Sequence, residues 1–455
     1  MNRCTPLFAF ALLLLCARGG HAAPSVYPTG TTLYDPQSTW SGYTVLSLLR
    51  APAVVVIDMN GRIVKQWEGF DNSAGGPARV LPGGDIIAAS GARPGHQEAL
   101  ELVQRDFSGD IRWRISRVVR PPAVGDAPEE SLRQHHDWQR PDLPAGYYSP
   151  DARPAAKGGP TLVLTHFTHA AQDVSDRVLE DDRLVELAPD GQVLWQWTAS
   201  EHIDEFGFDA AARAAIRAGA GAGPGADRGF DWLHVNSATY VGPNRWFDAG
   251  DARFAPENVI ISSRQASFLA IIDRRGKVVW RIGPDFRDPE PLRRIGQIIG
   301  QHHAHLIPAG LPGAGNLLVF DNGGASGYGF ANPIAPNGYG AFARATSRVL
   351  EINPVTLELV WSYAPRDRFF STNISSAQRL PNGNTLVCEG ATGRVFEVTA
   401  GGKTVWEFQN PLFGNGRDDV YRAYRIPYDW LPQLKVPRES AVMPPPLPTF
   451  TVPAR

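Results

Sequence analysis

The chain alternates apolar and polar positions in short runs that are broken by tight turns. A period of two is typical of β-strands with one buried face, and two such runs around a short turn predict a β-hairpin. The pattern occurs six times, at residues 54–67, 100–115, 183–197, 268–282, 348–363 and 394–408. Five of the turns carry a glycine, namely Gly61, Gly109, Gly191, Gly276 and Gly402. The sequence therefore predicts six related hairpins.

Tryptophan recurs at one position of this repeat, in the second strand of the hairpin. The residues at that position are Lys65, Trp113, Trp195, Trp280, Trp361 and Trp406. Their spacing of 45 to 85 residues compares with about forty residues for one propeller blade, so the longer units hold insertions on a shared core. We expect the tryptophans to pack between neighbouring units rather than to bind a ligand.

A second pair of strands completes each unit, with Leu-Pro-x-Gly turns at residues 81–84 and 380–383. Only residues 213–225 have the composition of a short helix. Four-stranded units without amphipathic helices predict an all-β fold, a six-bladed β-propeller with loop insertions. The sixth unit lacks a clear fourth strand, and we expect residues 43–49 to close the ring.

Composition and charge narrow the range of partners. The 455 residues are 43% hydrophobic, the formal net charge is −2, and no block of lysine and arginine is present. These properties favour a globular protein and argue against nucleic acid or an anionic membrane as a partner. No later run is apolar enough to predict a membrane-spanning helix.

The first residues have the pattern of a signal peptide: Arg3, an apolar run at 7–16 and small residues at 20–23. We therefore expect a signal peptide at residues 1–23, a propeller catalytic domain at 24–440 and a proline-rich tail at 441–455. The expected location is periplasmic or secreted. Removal of Cys4 and Cys16 with the signal would leave Cys388 without a partner for an intramolecular disulfide. Whether Cys16 is lipidated stays open.

Histidines stand at one point of the repeat, between a hairpin and the next strand pair. His135 and His136, His234 with Asn236, and His302 with His303 occupy equivalent positions. Equivalent loops of a propeller meet at one mouth of its channel, so we expect these side chains to converge. The strand-end residues that would join them are His166, Arg264, Asp321 and Asn322. A single histidine is more often a core residue, but several with one guanidinium indicate chemistry.

These motifs resemble those of the arylsulfate sulfotransferases. The matching stretches are residues 231–237, 262–264, 301–302 and 320–323, read as DWLHVNS, SSR, QH and FDNG. The resemblance implies a six-bladed propeller that moves a sulfuryl group from an aryl sulfate to a phenol through a transiently sulfated histidine, with no cofactor. The resemblance also implies a reaction without a nucleotide donor, and the chain has no GxxxxGK[ST] loop to hold one.

The resemblance also implies roles for individual residues. His302 matches the sulfated histidine, His234 and Asn236 the His-x-Asn pair, and Arg264 the sulfate-binding arginine. A further catalytic histidine is His135 or His136, and the sequence leaves that choice open. We add His166, His303, Asp321 and Asn322 as substrate-binding candidates, with His303 also the rival nucleophile.

Two other functions remain open on the sequence alone. Channel histidines could hold Zn²⁺ or Fe²⁺ in a hydrolase or oxygenase, although an arginine aimed at the same point repels a cation. A non-catalytic extracellular binding module is the other, since propellers host many functions. The expected partners are small-molecule phenols and aryl sulfates. The physiological donor and acceptor and the oligomeric state, with a homodimer among the options, stay open.

Overall fold

The computed structural model describes residues 29–49, 51, 53–70, 76–93, 96–119, 129–155, 158–222, 229–365, 369–413 and 417–444. The predicted signal peptide, residues 1–23, lies outside the described residues, as do residues 445–455 of the predicted tail. The domain boundaries therefore stay predictions. Residues 29–444 form one compact unit.

Antiparallel sheets hold most of the regular secondary structure in the described chain. Three sheets have four strands: Val420–Ile426, Tyr43–Leu48, Ala53–Ile57 and Ile63–Glu68; Val235–Tyr240, Val259–Ser263, Phe268–Ile272 and Val278–Ile282; and His302–Leu306, Leu317–Asp321, Arg348–Ile352 and Leu359–Tyr363. One has five strands, Ser376–Arg379, Thr385–Glu389, Arg394–Val398, Thr404–Gln409 and Gly30–Tyr34. The fold is all-β and propeller-like.

The remaining strands form one large sheet and two small ones. The eight-stranded sheet contains Arg79–Val80, Ile86–Ala92, Ala99–Arg105 and Ile111–Ile115 in one half and Gln134–Gln139, Thr161–Ala170, Val178–Leu187 and Val193–Thr198 in the other. A single pairing, Gln134 with Ala99, joins the halves. Two-stranded sheets pair Arg117–Val119 with Glu129–Ser131 and Ser326–Tyr328 with Tyr339–Phe342.

The six predicted hairpins form, and each pairs its strands antiparallel with a register shift just before the turn. In each, an indole N–H donates to a carbonyl in or beside the turn of the next hairpin along the chain. The pairs are Trp67 with Asp106, Trp113 with Pro189, Trp195 with Arg274, Trp280 with Pro354, Trp361 with Ala400, and Trp406 with Met59. The last bond returns to the first hairpin. The predicted packing role of the tryptophans is confirmed.

The chain ends meet in the sheet that contains the first hairpin. Val420–Ile426 pairs with Tyr43–Leu48 from Tyr43↔Ile426 to Leu48↔Val420. The expected pairing of residues 43–49 with the other end of the described chain is therefore present. The reason given for it, a missing fourth strand in the sixth unit, was wrong. The sixth unit has four strands of its own, and Gly30–Tyr34 adds a fifth at its edge.

Helices are few and short: Ala210–Arg217, Arg245–Asp248 and Glu290–Ile295. A seven-residue 3₁₀ segment, kinked at His202, occupies Ala199–Glu205, and single 3₁₀ turns occupy Ala252–Phe254, Gly390–Thr392 and Tyr428–Trp430. The expectation of one helix at 213–225 was wrong in its bounds and its number. Asp209 accepts from the Ala212 N–H and starts the first helix, and Asn244 caps the second in the same way.

The apolar core lies between neighbouring sheets, where the buried faces of successive hairpins pack. Cys388 is buried and free. Within the described part of the chain, no helix combines the length and hydropathy that crossing a membrane requires.

Candidate active site

The strands that carry the predicted site residues begin with irregular backbone. His136, His234 and His303 have φ of 53°, 49° and 50°, in the left-handed region. The pairing register shifts beside each of them, which marks a bulge at the start of the strand. Histidine tolerates this region better than bulky or β-branched residues do. The bulges re-aim the side chains at this end of the strands.

Four histidines from two neighbouring sheets stand in contact. The His135 and His166 rings stack with centroids 3.7 Å apart, and the His136 ring lies edge-on to His234 at 4.6 Å. His135 and His136 face each other through their Nδ1 atoms at 2.9 Å. We call His135, His136, His166, His234 and His302 the histidine cluster. The structure thus brings together the histidines predicted for the site, with the exception of His303.

His302 completes the histidine cluster and is held at both ring nitrogens. Its Nδ1 lies 2.7 Å from Asn322 Oδ1 and 3.1 Å from the Gly300 carbonyl, both acceptors. The proton therefore sits on Nδ1, and the lone pair on Nε2 accepts from the Ile374 N–H at 3.1 Å. Asn322 is fixed in turn by donating to the carbonyls of Ser371 and Ile374.

Burial disfavours the charged forms of His302 and His136. It lowers the pKa of His302 well below the usual value, and Arg264 lowers it further. The pKa of His136 is also lowered by burial, then by His234, His166 and His302. A neutral imidazole can attack or accept a proton without first losing one.

Arg264 and His234 form the more open side of the site. The Arg264 N–H donates to the His234 carbonyl at 3.1 Å, and Ser326 Oγ donates to the Arg264 carbonyl. The Arg264 side chain is half-buried. Within the described ranges its guanidinium makes neither a hydrogen bond nor an ion pair. A partly buried guanidinium in that state is available to an anion.

Two carboxyl groups back the histidine cluster, and the sequence analysis assigned a role to neither. Asp231 Oδ2 lies 2.5 Å from His234 Nδ1. Although burial raises the pKa of Asp231, His234, His166 and Arg264 together hold it below its usual value. Burial and then Asp231 raise the pKa of Asp182 well above its usual value. The pKa values of the two carboxyl groups are therefore shifted in opposite directions.

Asn236 and Arg422 form buried hydrogen bonds beside His302. Asn236 Nδ2 donates to the Gln301 carbonyl at 2.6 Å and so fixes the residue before His302. Arg422 donates to the Asn236 carbonyl at 2.8 Å and to Asp137 Oδ2 at 3.1 Å. Both side chains are fully buried. Asn236 therefore positions the site from behind.

Two predicted residues lie elsewhere. His303 is buried against Tyr147 and His305, with ring centroids 5.1 and 4.4 Å away, rather than against the histidine cluster. Asp321 accepts from Arg344 at 2.8 Å, from Arg348 at 2.6 Å and from the Ile299 N–H. Its carboxylate is occupied by structural partners. We therefore leave His303 and Asp321 out of the proposed site.

Sequence signals for the missed residues existed. Asp231 stands three residues before His234 in the same motif. Asp182 ends the acidic run Glu180-Asp181-Asp182, which lies within a strand, and charged residues rarely run together on a buried strand without a function or partners. Arg422 had no such signal, because its strand reaches the channel only through the closure of the chain ends.

A metal ion fits neither of the two carboxylate–histidine groups in the described residues. The ligand atoms of His135, His166 and Asp182 lie within 4.8 Å of one another. The two rings are, however, stacked within 18° of parallel, and a bound ion must lie near the plane of each imidazole. His96, Glu98 and Glu180 form the other group, and Arg133 already pairs with both glutamates.

The fold is all-β and propeller-like, and it brings the clustered imidazoles close to the half-buried Arg264. A family model described as Arylsulfotransferase (ASST) matches residues 138–410, more than half of the chain. The chain belongs to the arylsulfotransferase family. No curated protein matches it.

Solved structures match this chain at low sequence identity and with TM-scores below 0.5. A protein of unknown function from Bacteroides caccae is 10% identical, with a TM-score of 0.43, over 84% of this chain and 98% of that one. A putative 6-phosphogluconolactonase from Bacteroides fragilis is 10% identical, with a TM-score of 0.38, over 86% of this chain and 100% of that one. Apo AztD from Citrobacter koseri is 11% identical, with a TM-score of 0.36, over 84% of this chain and 97% of that one.

Proposed function

We propose that this protein transfers a sulfuryl group from a phenolic sulfate ester to a phenolic acceptor through a sulfated His302. The observation that carries the proposal is the fixed tautomer of His302, whose Nε2 lone pair lies in a site with Arg264. The arylsulfotransferase family membership supports the reaction class.

The proposed chemistry has two displacements. His302 Nε2 attacks sulfur, the bond from sulfur to the aryl oxygen breaks, and a phenol leaves. An acceptor phenol then attacks the sulfohistidine and restores His302, which predicts ping-pong kinetics. Arg264 stabilises charge on the sulfuryl oxygens, and His136 or His234 moves the proton. Attack requires Nε2 to leave the Ile374 N–H, which occupies its lone pair at 3.1 Å.

The architecture and location belong to the same proposal. The eight-stranded sheet counts as two blades, since only one pairing joins its halves, and the tryptophan bonds run from hairpin to hairpin back to the first. These observations support six blades. We also propose export to the periplasm or outside by a signal at residues 1–23, which N-terminal sequencing of the exported protein checks.

Intact-mass spectrometry after mixing with 4-nitrophenyl sulfate tests the proposal. We expect a gain of one SO₃ unit together with one equivalent of 4-nitrophenol. Both should vanish in His302→Asn, because the covalent route is lost. A native metal adduct would instead favour the metal-dependent hydrolase or oxygenase, and no change of mass would favour the binding module.

Peptide mapping of the sulfated protein identifies the histidine that carries the sulfuryl group. The matched variants are His303→Asn, one residue away and outside the histidine cluster, and His234→Asn, inside it. Sulfate retained in His302→Asn and lost in either of the others would move the nucleophile to that residue.

A further inference from the structure

The buried side chains of Asp182, His135 and His136 lie in a row within the site. Asp182 Oδ1 lies 3.3 Å from His135 Nε2, and His135 Nδ1 lies 2.9 Å from His136 Nδ1. Asp182 Oδ1 and His135 Nε2 are both buried and without a hydrogen-bond partner in the described residues, each other included, and a proton placed between them would give each atom a partner. His135 is fully buried, whereas His136 is 5% exposed. His136 is therefore the end of the line nearest to a substrate.

The geometry restricts where the protons can sit. Two Nδ1 atoms at hydrogen-bond distance require one donor and one acceptor, so a neutral pair holds a single proton between them. If Asp182 is protonated, Oδ1–H points to His135 Nε2, and His135 donates from Nδ1. His136 then accepts at Nδ1 and carries its own proton on Nε2. Every group in the line is neutral in this arrangement.

The surroundings favour that arrangement. Asp182 is faced by Asp231, Asp181 and Glu180, and by the Val235 N–H, which donates to its other oxygen at 3.1 Å. Three acidic neighbours disfavour a second buried anion. The two imidazoles are faced by His166, His234, His302 and Arg422, which disfavour a buried cation. The carbonyl of Thr165 opposes this effect at His135.

We propose that Asp182 and His135 are positioning residues that supply, through His136, the proton taken up by the leaving aryl oxygen. The inference rests on the proposed function and deepens it. As the sulfur–oxygen bond breaks, the aryl oxygen takes the Nε2 proton of His136. The Nδ1 proton of His135 moves to His136, and the Asp182 proton moves to His135 Nε2. Asp182 is left as a carboxylate and both imidazoles stay neutral.

The second displacement runs the same path backwards. The acceptor phenol gives its proton to His136 Nε2, His136 returns one to His135, and His135 returns one to Asp182. Protons balance over the cycle, and no bulk water is needed.

This device defines a substrate class. Ordinary phenols have a pKa of about 10, so their oxygens leave poorly unless they are protonated. A nitrophenolate is far less basic and leaves without help. The relay therefore fits the enzyme to sulfate esters of unactivated phenols.

The test compares two donors in single-turnover experiments, phenyl sulfate and 4-nitrophenyl sulfate. We expect Asp182→Asn to slow transfer from phenyl sulfate about 100-fold or more, and to change transfer from 4-nitrophenyl sulfate by less than about threefold. His135→Asn should give the same selective loss and serves where Asp182→Asn does not fold. In the wild type, phenyl sulfate should show a solvent isotope effect that involves more than one proton.

Asp231→Asn and Asp181→Asn are the matched variants, since each removes a neighbouring buried carboxylate. Equal loss with both donors in Asp182→Asn would mean a structural role and overturn the relay. A loss of transfer from phenyl sulfate alone in Asp231→Asn, but not in Asp182→Asn, would make His234 the group that protonates the leaving aryl oxygen. That result would also overturn the relay. Transfer restored by added Zn²⁺ would overturn it in favour of a metal. A wild type that transfers from neither donor would overturn the proposed function as well.

Discussion

The outer hairpins and the inner ends of the strands repeat with the same period but differ in what they build. In the outer hairpins, each indole meets the same kind of partner, a carbonyl at the neighbouring turn. At the inner ends, the histidines meet different partners: His136 faces His135, His234 faces Asp231, and His302 faces Asn322. The outer contacts repeat from hairpin to hairpin, whereas the inner contacts differ from one strand to the next.

Removal of the Arg264 guanidinium should have the largest effect of the changes compared here, and it should lower activity rather than stability. We expect Arg264→Met to slow sulfuryl transfer about 100- to 1,000-fold, because charge on the sulfuryl oxygens loses its stabilising group. The free energy of unfolding should change by less than about 0.5 kcal/mol, since Arg264 has no ion pair to lose. Stopped-flow release of 4-nitrophenol and urea unfolding measure the two. Arg275→Met, at an exposed turn of the same sheet, is the control. Full activity in Arg264→Met would remove this residue from the mechanism.

Acid should weaken the inner region selectively. Burial lowers the pKa of His305 to about 4, against about 6.5 in an unfolded chain. Between these values the unfolded chain binds more protons, so the free energy of unfolding falls as the pH drops from about 6.5 to about 4. This one group accounts for about 3 kcal/mol at most. Urea unfolding at pH 7 and pH 4.5 measures the fall, which His305→Asn should reduce.

The control for acid sensitivity has the opposite sign. A hydrogen bond to Asp181 raises the pKa of His169. The stability that this bond provides is present below the unfolded pKa and is lost as the pH rises through the folded value. His169→Asn should therefore make the acid-induced fall steeper. A flatter fall in His169→Asn, or none of the expected flattening in His305→Asn, would contradict the assignment.

Substitutions of the tryptophans in the outer hairpins should lower stability and leave activity unchanged. Trp406 is fully buried and donates to the Met59 carbonyl, whereas Trp361 makes the equivalent bond at the surface. We expect Trp406→Phe to cost about 2 kcal/mol and Trp361→Phe less than about 1 kcal/mol. Thr31 Oγ1 also donates to the Met59 carbonyl, which keeps that acceptor satisfied and limits the cost. Thermal unfolding with a transfer assay on each variant checks both points. Equal costs would show that burial does not set the strength of these contacts.

The sequence by itself determined the hairpins, the tryptophan positions and the residues that carry the family resemblance. These features are local: alternation depends on residues two apart, and a turn depends on its own few residues. A repeat therefore shows them directly.

The tertiary structure alone decided which histidine faces which partner. His302 belongs to the histidine cluster, whereas His303 packs against Tyr147 and His305, and the left-handed backbone at His303 interrupts the regular pairing of the strand. Asp182 pairs with His166 and reaches His135 from two strands away in the same half of the eight-stranded sheet, and Arg422 comes from a strand near the end of the chain. Burial and the charges that shift a pKa arise from such distant contacts, which strand periodicity does not encode.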